Sequence, residues 1–216
     1  MALNRVSNLA LMLFWSACFG EEVKISVAVY DYFGVPKGVR DEGFRIAEKS
    51  LLRAGVTVSW GRCVDPGNPA QILMNILPEA MAQRIAGNLR QLGRSITAGP
   101  GKFGSTGYVF RDRIAKVAEA WAIPEAVLFG NVLAHEIGHL LLGDDSHSPA
   151  GLMRAAWAAD DFKAMLRDGL MFETGQARQL RANVERRLQA GDAIGFCAGG
   201  GGEVTRIHVA TSDRDR

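Results

Sequence analysis

The chain has 216 residues, of which 48% are hydrophobic, and this length and composition suit one domain with one sizeable core. Its formal net charge of +2 at pH 7 is too small to indicate a nucleic-acid partner or a strongly acidic partner. We therefore expect a single globular domain that binds no nucleic acid, and we expect it to be a monomer.

The first 20 residues have the three parts of a secretory signal peptide. Arg5 supplies the positive charge, residues 9–15 form a short apolar run, and residues 16–20 contain the small residues Ala17 and Gly20, after either of which cleavage could occur. The run is too short to span a bilayer as a stable anchor. The alternative to a signal peptide is that this segment forms a buried first helix of the domain. We predict a signal peptide over residues 1–20, a secreted or extracytoplasmic protein in the periplasm or cell exterior, and no membrane span after cleavage.

The three cysteines bear on the same question. Cys18 follows Ser-Ala in a sequence close to a bacterial lipobox, so a lipoprotein anchor at Cys18 is the lesser alternative to secretion. Cys63 and Cys197 could pair in an oxidising compartment, but we expect both to be free thiols. Cys197 lies in a Gly-rich stretch, and we predict that residues 193–216 form a flexible tail. This leaves residues 21–192 for the domain.

In the first half of the domain, the sequence pattern predicts several strands and one helix. Residues 23–30 alternate in hydrophobicity as a strand does, and residues 39–54 have apolar residues at helical spacing. Further strands are predicted over residues 56–60 and 72–77. This succession indicates a right-handed crossover with parallel pairing. Residues 79–88 are predicted to be helical or irregular.

In the second half of the domain, the sequence pattern predicts two strands joined by a turn, followed by helices. Strands over residues 92–97 and 107–110 flank a Gly99-Pro100-Gly101 turn. A helix is predicted over residues 111–121, before the histidine-containing helix, and Pro124 is predicted at the first position of that next helix. A short amphipathic helix is predicted over residues 160–168. Thr174 is predicted to be the N-cap of a last helix, which ends near Leu188.

Three of the four histidines lie in one stretch, HEIGHLLLGDDSH. His135 and His139 are four residues apart, so on a helix they share one face and lie about 6 Å apart along the axis. Two such imidazoles can bind one metal ion, and Gly143 lets the chain turn so that His147 can return as a third ligand. Glu136 lies beside the first ligand and can polarise a water molecule. Three protein ligands leave a fourth position open, as in a catalytic zinc site.

Three segments, LFGNVLAHEIGHLLLG, LGRSITAGPGKFGSTGYVF and HSPAGLM, resemble parts of the metzincin metallopeptidases, most nearly the matrixin-like branch. The signature of that family is HExxHxxGxxH followed by a methionine turn. The resemblance covers residues 92–157 and is thin elsewhere. Together with the element order, it implies an α+β, zincin-like fold: a mixed twisted sheet of about five strands, one antiparallel edge, and the active-site helix packed behind it.

The spacing departs from the family at the third ligand. Gly143 comes four residues after His139, and His147 comes four residues after Gly143, whereas the family spacing would place Asp145 at the ligand position. We favour His147 over Asp145 because imidazole is the commoner partner of zinc.

The resemblance also implies roles for other residues. It implies a zinc-dependent endopeptidase that acts on a peptide or protein substrate with Glu136 as general base, Met153 as an apolar floor under the ligands, and Trp157 near the substrate pocket. It implies an edge strand that pairs with extended substrate, formed by Leu92, Gly93, Arg94, Ser95 and Ile96.

Two alternatives remain open. One is a catalytically silent, secreted zinc-binding module for adhesion or inhibition, against which Glu136 argues because an inactive site has no use for that carboxylate. The other is a secreted structural protein in which HExxH is fortuitous.

Overall fold

The computed structural model describes residues 23–62, 70–88, 90–97 and 104–190, and within them five strands form one mixed sheet. The strands are β1 (Val23–Asp31), β2 (Val56–Gly61), β3 (Gln71–Leu77), β4 (Gly93–Thr97) and β5 (Gly104–Phe110). Their order is β2-β1-β3-β5-β4, with parallel pairing throughout except that β4 is antiparallel to β5 at one edge. The predicted α+β class, with about five strands and one antiparallel edge, is confirmed.

Six helices accompany the sheet in these ranges: α1 (Lys37–Arg53), α2 (Glu79–Ile85), α3 (Arg111–Ala120), α4 (Glu125–Leu142), α5 (Ala159–Arg167) and α6 (Thr174–Ala190). Two predicted helix starts are wrong by one residue. Pro124 has a ψ of 131°, outside the helical range, so it precedes α4 instead of opening it. Thr174 is the first residue of α6 and not its N-cap, since the Gln176 side chain accepts the N–H of Glu173.

The two central strands β1 and β3 contribute much of the core. Ile25, Val27, Ile72, Met74 and Ile76 are each at most 1% exposed. In β3 the residues of both faces are buried, as is typical of a strand with parallel neighbours and covered faces.

Helix α4 packs closely against α1 where each helix carries a glycine. A Cβ atom at Gly43 would lie 2.3 Å from Cδ1 of Phe129, and one at Gly130 would lie 2.6 Å from the backbone oxygen of Gly43. The two backbones can therefore approach this closely only without side chains at these positions. Helix α4 also contacts β4 and β5, which places the HEIGH sequence beside the antiparallel edge of the sheet.

A buried arginine anchors the segment that leads into β4. Arg113 on α3 is 6% exposed, and its Nε lies 2.7 Å from Oε2 of Glu79. Its Nη1 donates to the backbone oxygens of Asn88, at 2.9 Å, and Gln91, at 3.1 Å. Because one rigid guanidinium holds both ends of this short segment, the start of β4 is fixed relative to α3.

Within the described ranges, none of the helices is long and apolar enough to cross a membrane. Several predicted features lie outside the described residues: the signal peptide over residues 1–20 with Cys18, the Gly99-Pro100-Gly101 turn, Cys63, and the tail over residues 193–216 with Cys197.

Candidate metal centre

Three histidine rings converge at the C-terminal end of α4. The Nε2 atom of His139 lies 3.0 Å from Nε2 of His135 and 3.1 Å from Nε2 of His147. One ligand atom from each residue lies within 4.8 Å of the other two. The described residues therefore contain a cluster that could hold a single metal ion, and its members are the three predicted histidines.

Gly143 makes the return of His147 possible. It ends α4 with a φ of 101°, in the left-handed region that favours glycine, and its N–H donates to the oxygen of His139 at 2.8 Å. The chain reverses here and brings the exposed His147 back over the helix end. Asp145 is exposed and does not belong to the cluster. The structure thus brings His147, and not Asp145, together with the two helical histidines. The sequence favoured His147 only because imidazole is the commoner partner of zinc.

Hydrogen bonds orient the two helical rings. Nδ1 of His135 lies 2.8 Å from the backbone oxygen of Leu152, which can only accept, so Nδ1 carries the proton. Nδ1 of His139 lies 2.9 Å from the hydroxyl oxygen of Ser146. For His135 this leaves a lone pair on Nε2, the atom that points into the cluster, and the Ser146 hydroxyl can accept from Nδ1 of His139 and so allows the same tautomer there.

Burial keeps these rings neutral. Burial, together with the neighbouring histidines, lowers the pKa of His135 to about 3 and that of His139 to about 4. Neutral imidazole is the form that binds a metal ion. A set of three convergent imidazole nitrogens fits a divalent transition metal better than Ca²⁺ or Mg²⁺, which prefer oxygen ligands.

Met153 lies beneath the HEIGH segment and is fully buried. A Cβ atom at Gly138 would lie 2.5 Å from Sδ of Met153 and 2.8 Å from Cε1 of Phe172. The methionine therefore packs directly on the backbone between His135 and His139.

We expect Gly138→Ala to lower the free energy of unfolding by about 1–3 kcal/mol, because the added methyl group would overlap the Met153 sulfur. Urea unfolding in the presence of a chelator measures this packing effect alone. The matched control is Gly175→Ala on α6, where nothing lies within 4 Å of a built Cβ. The control should be neutral or stabilising by up to about 1 kcal/mol, and equal stabilities of the two variants would contradict this packing.

Glu136 extends from α4 onto the edge strand. Its side chain is buried and lies over Gly93, where a Cβ atom would be 2.6 Å from Oε1. The hydroxyl of Ser95 lies 2.8 Å from Oε2 of Glu136 and 2.8 Å from the backbone oxygen of Glu136. Burial raises the pKa of Glu136 to about 8, and the Ser95 hydroxyl partly opposes this rise. A cation at the imidazoles would favour the ionised carboxylate.

Four of the six residues predicted to bind substrate lie on β4, and they divide between its two faces. Gly93 and Ser95 face Glu136, while Arg94 and Ile96 are exposed. Leu92 packs on the core just before the strand, and its oxygen accepts the N–H of Phe110 at 2.8 Å. In the described sheet, β4 pairs with β5 alone, so its outer edge has no strand partner.

Trp157 lies against the first histidine. The centre of its indole is 5.5 Å from the centre of the His135 ring, with the two planes at 83°. The side chain is half-buried and also packs against the hydrophobic core. Trp157 therefore contributes to the core and also borders the histidine cluster.

Sequence reasoning did not identify two polar residues at this site, Ser146 and Gln176. The hydroxyl of Ser146 contacts His139, and the amide nitrogen of Gln176 donates to the oxygen of Ser146 at 2.8 Å. A glutamine three residues into a helix is a recognisable capping signal. Its contact with a loop 30 residues earlier has no signal in a single sequence.

No family model matches the chain, and no curated protein matches it. Among solved structures, it is similar to TM1509 from Thermotoga maritima, with 10% identity and a TM-score of 0.33 over 77% of this chain and 92% of that one. It is also similar to two structures of myroilysin. One has 18% identity and a TM-score of 0.29, covering 71% of this chain and 70% of that chain. The other has 15% identity and a TM-score of 0.27, covering 84% and 67%. Similarities at this level do not define a family.

Proposed function

We propose that this protein is a zinc-dependent endopeptidase that hydrolyses peptide bonds in peptide or protein substrates. The observation that carries the proposal is the convergence of the Nε2 atoms of His135, His139 and His147, with Glu136 next to the first of them in sequence. Three protein ligands leave a coordination position for water, which distinguishes catalytic from structural zinc sites.

Zinc is the ion that best suits this donor set, because three imidazoles form a known catalytic zinc ligand set. When bound, zinc lowers the pKa of water and polarises the scissile carbonyl. The protein would hold the ligands in place: the backbone oxygen of Leu152 orients the His135 ring, and the hydroxyl of Ser146 orients the His139 ring.

Glu136 is the proposed general base. Its carboxylate accepts the proton of the attacking water and then delivers it to the leaving amine. Ser95 holds one carboxylate oxygen, and the missing side chain of Gly93 leaves room for the other. The edge strand therefore fixes the position of the base as well as bordering the site.

Strand β4 is the proposed substrate-binding element. An extended peptide can add to its outer edge through main-chain hydrogen bonds, which gives affinity with little sequence preference. Arg94 and Ile96 are exposed and would contact side chains of such a peptide, with Trp157 bordering the far side of the cluster. We propose that the protein acts as a monomer outside the cytoplasm.

Digestion of a peptide library by the full chain tests this function. We expect cleavage that stops with a chelator and returns when zinc is added back. Zinc binding without any cleavage would favour the silent binding module instead, and cleavage that continues in the chelator would contradict a metal mechanism.

We expect Gly93→Ala to lower the rate of peptide cleavage while zinc stays bound, because the new Cβ would displace the Glu136 carboxylate. A displacement of about 1 Å can reduce the rate by about 100-fold. The measurement is kcat together with zinc content, and Gly38→Ala, whose Cβ would meet nothing within 4 Å, is the control. A Gly93 variant with the same kcat as the control would show that Glu136 needs no such clearance.

A further inference from the structure

We propose that Gln176, at the start of α6, is a positioning residue of the metal centre: its amide N–H holds the peptide group that carries His147. This rests on the metal-binding part of the proposed function and not on peptide cleavage.

The first step is the link to the third ligand. The amide Nε2 of Gln176 donates to the backbone oxygen of Ser146 at 2.8 Å. The carbonyl of Ser146 and the N–H of His147 belong to one planar peptide unit. Fixing that carbonyl therefore fixes the direction in which the backbone enters His147.

The second step is the link to the second ligand. The hydroxyl of the same Ser146 lies 2.9 Å from Nδ1 of His139. The loop thus carries one ligand and orients another, so a shift of Ser146 would disturb both His139 and His147. A contact that orients a ligand in this way commonly changes metal affinity by about 10–100-fold when it is removed.

The third step is the rigidity of the support. Helix α6 is tied to the last turn of α4 by Asn183, which donates to the oxygen of Leu141 at 2.6 Å, and by Arg187, which donates to the oxygen of Leu140 at 2.6 Å. Helix α4 carries the two helical histidines. Gln176 therefore holds the loop in a frame that is fixed relative to those histidines. The same loop is also hydrogen-bonded to β4, because the hydroxyl of Thr97 donates to the carboxylate of Asp144.

Gln176 also has a local role, and the two roles use different atoms. Its Oε1 accepts the N–H of Glu173 at 3.1 Å and so closes the first turn of α6. Only Nε2 reaches Ser146. Gln176→Glu keeps an oxygen for the cap and removes the donor to the loop, so this variant separates the two roles. Gln179→Glu makes the same charge change at an exposed position on the same helix and is the matched control.

The test is zinc affinity of the full chain, measured by competition with a chromophoric chelator, together with the d–d absorption spectrum after loading with Co²⁺. We expect Gln176→Glu to bind zinc about 10–100-fold more weakly than Gln179→Glu, with an altered Co²⁺ spectrum and an unchanged far-UV circular dichroism spectrum. Gln176→Met has nearly the same shape without charge, and we expect the same loss of affinity from it.

Zinc affinity of Gln176→Glu and Gln176→Met equal to that of Gln179→Glu would overturn the proposal and leave Gln176 as a helix cap. If the glutamate variant does not fold, the methionine variant still tests the proposal, because unchanged zinc affinity in a chain without the amide donor would overturn it. A wild-type chain that binds zinc but cleaves no peptide would refute the peptidase function alone. A wild-type chain that binds no zinc would overturn both proposals.

Discussion

Glu136→Gln is expected to lower peptide hydrolysis by about 10²–10⁴-fold while zinc remains bound. The amide has the shape of the carboxylate and can keep a hydrogen bond with Ser95, but it cannot accept a proton from water. Glu136 also lies outside the cluster of three imidazoles, so its replacement removes no ligand. The measurement is kcat on a peptide that the wild-type chain cleaves, with the zinc content of the same preparation.

The control for this variant is Glu173→Gln, an exposed residue that precedes α6. It makes the same chemical change away from the buried base, and we expect wild-type activity from it. Activity of the Glu136 variant within a few-fold of wild type would mean that another group activates the water.

The second large effect concerns the third ligand. We expect His147→Ala to lose most of its zinc affinity, because its Nε2 lies 3.1 Å from Nε2 of His139 at the point where the rings converge. Asp145→Ala should keep its zinc, since Asp145 is exposed and lies outside the cluster. Zinc titration of the two variants under the same conditions makes the comparison.

The opposite result is equally specific. The family spacing places Asp145 at the ligand position, so loss of zinc from the Asp145 variant and retention by the His147 variant would establish a His-His-Asp site. The preference for His147 would then be wrong, and the loop after Gly143 would have to adopt another path in the metal-bound protein.

Much of the fold could be predicted because the local patterns were strong and agreed with one another. Strand–helix–strand spacing in the first half indicated parallel pairing, and β1 is parallel to both β2 and β3. Element ends were less accurate. Strand β5 begins at Gly104, three residues before the predicted start, because its pairing with β3 and β4 extends the ladder through glycine-containing sequence of low strand propensity.

The histidine cluster could be predicted because its geometry is local. Helical spacing brings His135 and His139 to one face, and the glycine break at Gly143 returns the chain within a few residues. The supporting contacts could not be predicted, since Ser95 meets Glu136 across 41 residues and Gln176 meets Ser146 across 30. Such contacts depend on how helices and strands pack, which a single sequence does not encode in any local pattern.

Ser95 is an example of a residue whose contacts could not be predicted from the local sequence. The resemblance implied that it contacts substrate, whereas its hydroxyl is directed at Glu136 from the face of β4 that meets α4. The alternation of side chains along a strand divides residues 92–96 between the base and the solvent. Which residues belong to which face depends on the register of β4 with β5.

The most direct test of a metal centre formed by His135, His139 and His147 is elemental analysis of protein that has been purified without a chelator. The proposed mononuclear site predicts about one equivalent of zinc per chain, and the His139→Ala variant, prepared in parallel, should contain almost none. Wild-type protein that is folded and cleaves peptide, yet contains no stoichiometric metal, would contradict the proposal.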